Sequence, residues 1–180
     1  VNEKLRNIEI AGLLSDTGNT APLSGRANVR ISGVSAGNSL NSLIKRLRSD
    51  VDFDVQDRLY SGTDLWHEIR RARALITQNA APPKPANPAT TLDQLSATLQ
   101  FAGGKLQNRD FTAAVPFMQL TGAGDIDLLT ERLDFVLQAR IVETPVFEDG
   151  ESLNNLKGLT LPVKVKGSLD SPSVGIDAGD

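Results

Sequence analysis

The residues best suited to chemistry lie in one short stretch, TGAGDIDLLTERLDFVLQA, which occupies positions 121–139. Asp125 and Asp127 are carboxylates two positions apart, and Gly122 and Gly124 come just before them. Closely spaced carboxylates can hold a divalent cation, and paired glycines ahead of a helix can hold a phosphate. The same stretch also fits a β-hairpin, so the elements around it must decide between a site and a turn.

The surrounding pattern favours the hairpin. Asp125 and Asp127 alternate with apolar residues, which places both carboxylates on the solvent face of a strand. A calcium loop would need further oxygen ligands and a glycine, whereas Leu129 and Thr130 follow here. A dinucleotide fingerprint would need a third glycine at position 127 and then a helix. We therefore predict a turn in LLTER and two structural, surface aspartates, with no metal site.

Other catalytic arrangements are missing from the sequence. His67 is the single histidine, and the chain has no cysteine. Neither a Gly-x-Ser-x-Gly elbow nor a phosphate-binding loop is present. The sequence therefore predicts a protein that is not an enzyme, with no catalytic residue, no cofactor and no metal ligand.

Composition limits the partners. The net charge is −3, and the basic residues cluster on predicted helices, where a solvated face is the usual reading. A nucleic-acid partner is therefore not expected. No stretch is long and apolar enough for a transmembrane helix. The chain begins at Val1, so we expect a processed or excised piece whose membrane anchor would lie outside this sequence.

Alternating apolar residues predict most of the sheet. The runs LSGRANVRIS, LDQLSATLQF and ERLDFVLQARI each carry apolar residues at every second position, as half-buried strands do. Gly103-Gly104 predicts a tight hairpin. VPFMQLTG is apolar on both faces and is predicted as one strand that is central or partly covered. We expect a curved antiparallel sheet over 92–142 and 159–169, joined by strand 23–32.

Two segments change to helical spacing. The predicted helices are 39–49 and 63–78, the second capped by Thr63 with Leu65, Ile69, Ala72 and Ile76 on its apolar stripe. The predicted fold class is α+β, a curved antiparallel β-sheet with both amphipathic helices packed on one face. We predict one domain over 1–180, with a mixed part at 1–79, a proline-rich connection at 80–91 and an antiparallel β part at 92–180.

Three segments in order resemble the C-terminal region of AsmA-type proteins. They are the Gly-x-Gly-x-Ile-Asp-Leu strand at 122–128, the Leu-Asp-Phe-x-Leu strand at 133–137, and the glycine- and proline-bounded segment at 158–172. The resemblance covers roughly residues 23–48 and 91–177. It implies a periplasmic module of an inner-membrane-anchored parent protein that takes part in outer-membrane biogenesis and is similar to bridge-like lipid carriers. The family motifs are strand and turn positions and supply no catalytic residues.

Two functions follow for the apolar sheet face that carries Leu99, Phe101, Phe135 and Leu137. One is an open groove for phospholipid acyl chains, which would make the chain a lipid-handling or lipid-transport module. The alternative is a core sealed by the helices, in a structural or protein-interaction domain that regulates outer-membrane protein assembly. The other expected partners are the rest of the parent chain and cell-envelope proteins. The pattern alone does not show how much of the face stays open.

Overall fold

The computed structural model describes residues 2–9, 23–34, 38, 39, 42 and 48–176. In this part of the chain there are ten β-strands and one α-helix. The strands are β1 (Asn2–Glu9), β2 (Leu23–Val34), β3 (Arg48–Ser61), β4 (Ala89–Leu92), β5 (Gln94–Ala102), β6 (Lys105–Val115), β7 (Met118–Asp127), β8 (Arg132–Ile141), β9 (Thr160–Ser168) and β10 (Pro172–Ile176). The helix, α1, spans Leu65–Thr77, and a 3₁₀ turn spans Asn154–Leu156.

All ten strands belong to one antiparallel sheet. Its order is β1-β2-β3-β5-β6-β7-β8-β9-β10, and β4 pairs with the end of β3. The sheet is strongly curled, because Phe53 of β3 and Val174 of β10 line the same cavity although five strands separate them in the sheet. The predicted antiparallel sheet, including the strand at 23–32, is therefore confirmed.

The predicted α+β class with two helices on one sheet face is wrong. Arg48 and Ser49, at the end of predicted helix 39–49, begin β3, and most of the remaining positions lie outside the described residues. VDFDVQDRLY forms most of β3 because its apolar residues alternate with aspartates, as on a half-buried strand. The described chain is a β-sheet protein with a single helix between β3 and β4.

Helix α1 is shorter than predicted, and its buried face matches the predicted stripe only in part. Its N-cap is Asp64 and not Thr63, since the Asp64 carboxylate accepts a hydrogen bond of 3.0 Å from the His67 backbone N–H. Leu65, Ile69 and Ala74 are buried, whereas Ile76 is exposed. The helix packs into the same core as Met118, Ile141 and Leu153. It closes one end of the curl, where the Trp66 indole N–H donates to the backbone carbonyl of Pro116, 3.3 Å away.

Tight turns join β5 to β6 and β7 to β8, as predicted, at 103–104 and 128–131. The prediction of one strand over VPFMQLTG is wrong, because Pro116 and Phe117 form the turn between β6 and β7. Proline fits the first turn position with its fixed φ, and Phe117 takes the next one at a φ of 70°. This places an apolar aromatic residue at a strained position that sequence rules assign to glycine.

The two parts of the chain on either side of the proline-rich connection share the sheet. β3 from the first part pairs along its length with β5 from the second, from Arg48 opposite Ala102 to Val55 opposite Leu95. Residues 79–88, between α1 and β4, form no regular element.

Candidate functional site

The aspartate pair that opened the sequence analysis has structural partners. The Asp125 carboxylate lies 3.3 Å from the Arg109 guanidinium on the exposed surface. One Asp127 oxygen accepts hydrogen bonds from the backbone N–H groups of Leu129 and Thr130, at 2.9 and 3.0 Å. The bond from Thr130, followed by that from Leu129, lowers the pKa of the Asp127 carboxyl. Asp127 therefore caps the β7–β8 turn, and the described residues contain no metal-binding cluster of His, Cys, Asp or Glu.

Gly122 and Gly124 lie on the inner face of β7 and leave room for side chains of β8. A Cβ on Gly124 would come within 2.3 Å of the Phe135 ring, and one on Gly122 within 2.7 Å of the Leu137 side chain. The Phe135 ring packs edge-on against Phe111, with ring centroids 6.3 Å apart. The glycines therefore leave room for bulky side chains of the neighbouring strand on the inner face of the sheet.

The concave face of the curled sheet forms an apolar groove with a volume of about 310 Å³. Every strand from β3 to β10 and the start of α1 contribute to its walls. The polar lining residues are Tyr60, Thr63, Thr90 and Asn108, and none of the described lining residues is charged. Burial raises the pKa of the Tyr60 phenol, so this group also stays neutral near pH 7. The groove suits a small apolar ligand in size and chemistry.

One end of the groove, which we term the helix end, is closed by α1 and by residues 143–159. We term these residues the covering segment. Ile69 of α1, Met118 of β7, Ile141 of β8 and Leu153 of the covering segment are each at most 2% exposed. They form a packed core that continues into the groove. At this end the apolar face is sealed.

The opposite end, which we term the turn end, carries the hairpin turns at 103–104 and 128–131. Ile126, Leu133 and Phe135 line the groove there and remain partly exposed. Within the described ranges, no element packs across this end as α1 does at the other. Among the described residues, the helix end is therefore a closed core, whereas the groove lining at the turn end is partly exposed at Ile126, Leu133 and Phe135.

The four residues expected on the apolar face do not all reach the groove. Leu99, Phe135 and Leu137 line it. Leu137 is 8% exposed and lies among the core residues, whereas Leu99 and Phe135 are more accessible. Phe101 is buried but is not among the lining residues; it pairs with Leu106 on β6. The sequence pattern thus identified the face but not the division between its closed and open parts.

A charged cluster, which sequence reasoning missed, fastens the covering segment onto α1. The Arg70 guanidinium bonds to the Asp149 carboxylate and, at 2.6 Å, to that of Glu151, and it stacks 4.4 Å from the centre of the Phe147 ring. Arg73 donates to the backbone carbonyl of Ser152 at 2.8 Å. We call these contacts the arginine clamp. Its partners are about 80 positions apart, so no local motif could have revealed it.

Asn108 is a second feature missed from the sequence. It is 0% exposed within the groove wall, beside a bulge at Arg109–Asp110 that puts two residues of β6 opposite one residue of β7. Its amide donates to the Thr98 carbonyl at 3.0 Å and accepts from the Phe111 N–H at 3.0 Å. These bonds replace the ladder bonds that the bulge interrupts. A bulge of this kind bends the strand that carries it, which favours curling of the sheet.

The arrangement can bind an apolar molecule and hold it away from water. Its lining offers no described pair of nucleophile and base. The α-helix of the described chain does not have the length and hydropathy needed to cross a bilayer. Comparison of the sequence and the structure with protein-family models, curated proteins and solved structures gave no match.

Proposed function

We propose that this chain is a non-enzymatic lipid-binding module, whose apolar groove holds acyl chains. The observation that carries the proposal is the groove itself, which is about 310 Å³ in volume, uncharged along its described lining and partly exposed at the turn end among the residues that the structure describes. A purely structural sheet would gain stability by closing this face, because exposed apolar area is costly in water.

Binding would be passive. Each CH₂ group that moves from water into the groove contributes about 0.8 kcal/mol, so five such groups contribute roughly 4 kcal/mol before the cost of ordering the chain. A charged headgroup would stay outside, because burying an unpaired charge among these side chains is strongly unfavourable.

The wider setting of this proposal comes from the AsmA-like motifs. On that basis, the chain is a periplasmic module of an inner-membrane-anchored parent that handles or transports phospholipid in outer-membrane biogenesis. Its partners would be phospholipid acyl chains, the rest of the parent chain and envelope proteins. The groove supports the lipid part of this proposal, and the motifs support the cellular location.

A structural or protein-interaction role in outer-membrane protein assembly is the second candidate. The tightly packed helix end favours it, because Ile69, Ile141 and Leu153 form an ordinary closed core. In that case the open half of the groove would be occupied by protein and not by lipid.

Photocrosslinking from single sites separates the two functions. A photoreactive phenylalanine analogue would replace Leu99 or Phe135 in the parent protein within cells, and lipid adducts would be identified by mass spectrometry. Val136 is the matched control, since it neighbours Phe135 but lies on the outer face of β8 and is 42% exposed. We expect lipid adducts at positions 99 and 135 and none at 136.

Two other outcomes would reject the lipid function. Protein adducts alone at both groove positions would favour the interaction role, and equal lipid labelling at 136 would indicate nonspecific contact with membrane. Charge substitutions are less informative. Leu137 lies in the packed half of the groove, so Leu137→Asp should unfold the protein under either function. Leu99→Asp is better tolerated for folding and should abolish lipid adducts at position 135.

A further inference from the structure

The β7–β8 turn at 128–131 carries two apolar side chains at the open mouth of the groove. Leu128 is 38% exposed and Leu129 is 52% exposed. The turn directly continues the strands that bear Ile126 and Leu133, which line the groove. A path of apolar side chains therefore runs from the groove interior to the tip of the turn.

Four backbone groups of this turn form hydrogen bonds within the protein. The Leu128 N–H donates to the Gly104 carbonyl at 2.9 Å, and the next two N–H groups donate to the Asp127 carboxylate at 2.9 and 3.0 Å. The Glu131 carbonyl accepts from the Leu169 N–H at 3.0 Å. Contact with lipid requires such internal pairing, because hydrocarbon offers no partners to polar backbone groups. A peptide strand added to the turn would need these groups free.

The charges beside the turn are balanced. Lys105 and Arg132 stand next to Asp127 and Glu131, and the Lys105 ammonium lies 3.8 Å from the Asp127 carboxylate. A surface that depended on anionic lipid would carry an excess of Lys and Arg. Among the described residues, the charges directly beside the exposed leucines balance, which suits a zwitterionic headgroup layer instead.

We propose that the β7–β8 turn docks on a zwitterionic phospholipid surface through Leu128 and Leu129, with the groove mouth facing the lipid. This inference rests on the proposed function and states which end of the groove faces the lipid surface. Acyl chains enter and leave at the turn end, while the helix end points away from the membrane. The contact relies on apolar burial, so it is insensitive to salt.

A fluorescent label at one position tests the orientation. The chain has no cysteine, so Leu129→Cys provides a single site for an environment-sensitive fluorophore. Val146→Cys is the control, because Val146 is 98% exposed in the segment that covers the helix end. With phosphatidylcholine vesicles we expect a blue shift and a several-fold intensity gain at 129, unchanged at high salt, and no change at 146.

Other results would overturn the docking. They are no response at 129, an equal response at 146, or a response only with anionic vesicles. A shift that occurs without vesicles and grows with protein concentration would assign the turn to self-association. Binding of free oleate, measured without vesicles, separates the two proposals: oleate binding without a response at 129 rejects the docking and retains the groove function.

Discussion

At the scale of single residues, Asn108 shows how one buried polar side chain can shape an apolar surface. Its amide bridges Thr98 and Phe111 across the bulge on β6, and it also donates to the Asp110 carboxylate at 2.8 Å. Asp110 in turn accepts from the Thr98 N–H at 2.8 Å, which is the main cause of its lowered pKa. One small hydrogen-bond network therefore holds β5 and β6 together in the wall of the groove.

We predict that Asn108→Ala lowers the free energy of unfolding by about 1–3 kcal/mol, because it removes the side-chain partner of the partly buried Thr98 carbonyl and Phe111 N–H. Urea denaturation of the purified chain measures this change. Gln107→Ala is the control, since Gln107 is the exposed neighbour on the same strand. Equal effects of the two substitutions would show that the network contributes nothing specific.

At the scale of elements, the arginine clamp joins α1 to the segment that covers the helix end. The Asp149 carboxyl has a lowered pKa, chiefly because it accepts the Glu151 backbone N–H and secondly because it bonds to Arg70. A carboxyl with a lowered folded-state pKa stabilises the fold above its unfolded pKa of about 3.9, and this contribution disappears as the pH falls through the folded-state value. The clamp should therefore loosen in acid.

Trp66 is the only tryptophan in the chain, and its ring lies 6.3 Å from that of Phe147 in the covering segment. We predict that its fluorescence changes on acidification below about pH 4, before the sheet unfolds by circular dichroism. Arg70→Met should produce the same change at neutral pH. Arg71→Met should not, because Arg71 pairs only with Glu68 on the exposed helix surface, according to the described contacts.

Elements also show what the sequence could and could not predict. Leu133 to Ile141 alternate without interruption, so β8 could be assigned from period alone. Val51, Phe53 and Val55 alternate with aspartates in the same way, but this segment lies between the two predicted helices and was not predicted as a strand. Phe117 breaks the rule that reserves positive φ for glycine, because the fixed φ of Pro116 favours the turn. The short β10 was not predicted, because its sequence lies in a C-terminal stretch rich in serine, proline and glycine.

At the scale of the whole molecule, the division of one apolar face into a closed and an open half is set by tertiary structure. Leu99 and Leu137 are equivalent in pattern, yet among the described residues α1 and the arginine clamp cover only the helix end of the curl. The sequence therefore predicted the face and its apolar character. It could not predict the groove mouth, which depends on contacts between α1 and a segment about 80 positions away.

A ligand in the groove should stabilise the whole fold. We predict that oleate at about 100 times its dissociation constant adds roughly 2.7 kcal/mol to the free energy of unfolding, which corresponds to a rise in Tm of roughly 5–10 °C for a chain of this size. Acetate is the control, as it has the carboxylate without the apolar tail. A rise of the same size with acetate, or none with oleate, would contradict acyl-chain binding by the groove.

The order of the strands has a consequence for how this protein folds. Each strand from β6 to β10 pairs with the one before it in the chain, so that part of the sheet can grow by successive hairpins. Their connections are short turns, except for the longer segment between β8 and β9. The junction between β3 and β5 is different, because α1 and the proline-rich connection separate the two strands. Closing the longer loop costs more chain entropy and slows pairing. We therefore expect β5–β10 to form early and the junction with β3 to complete the groove late, when α1 docks.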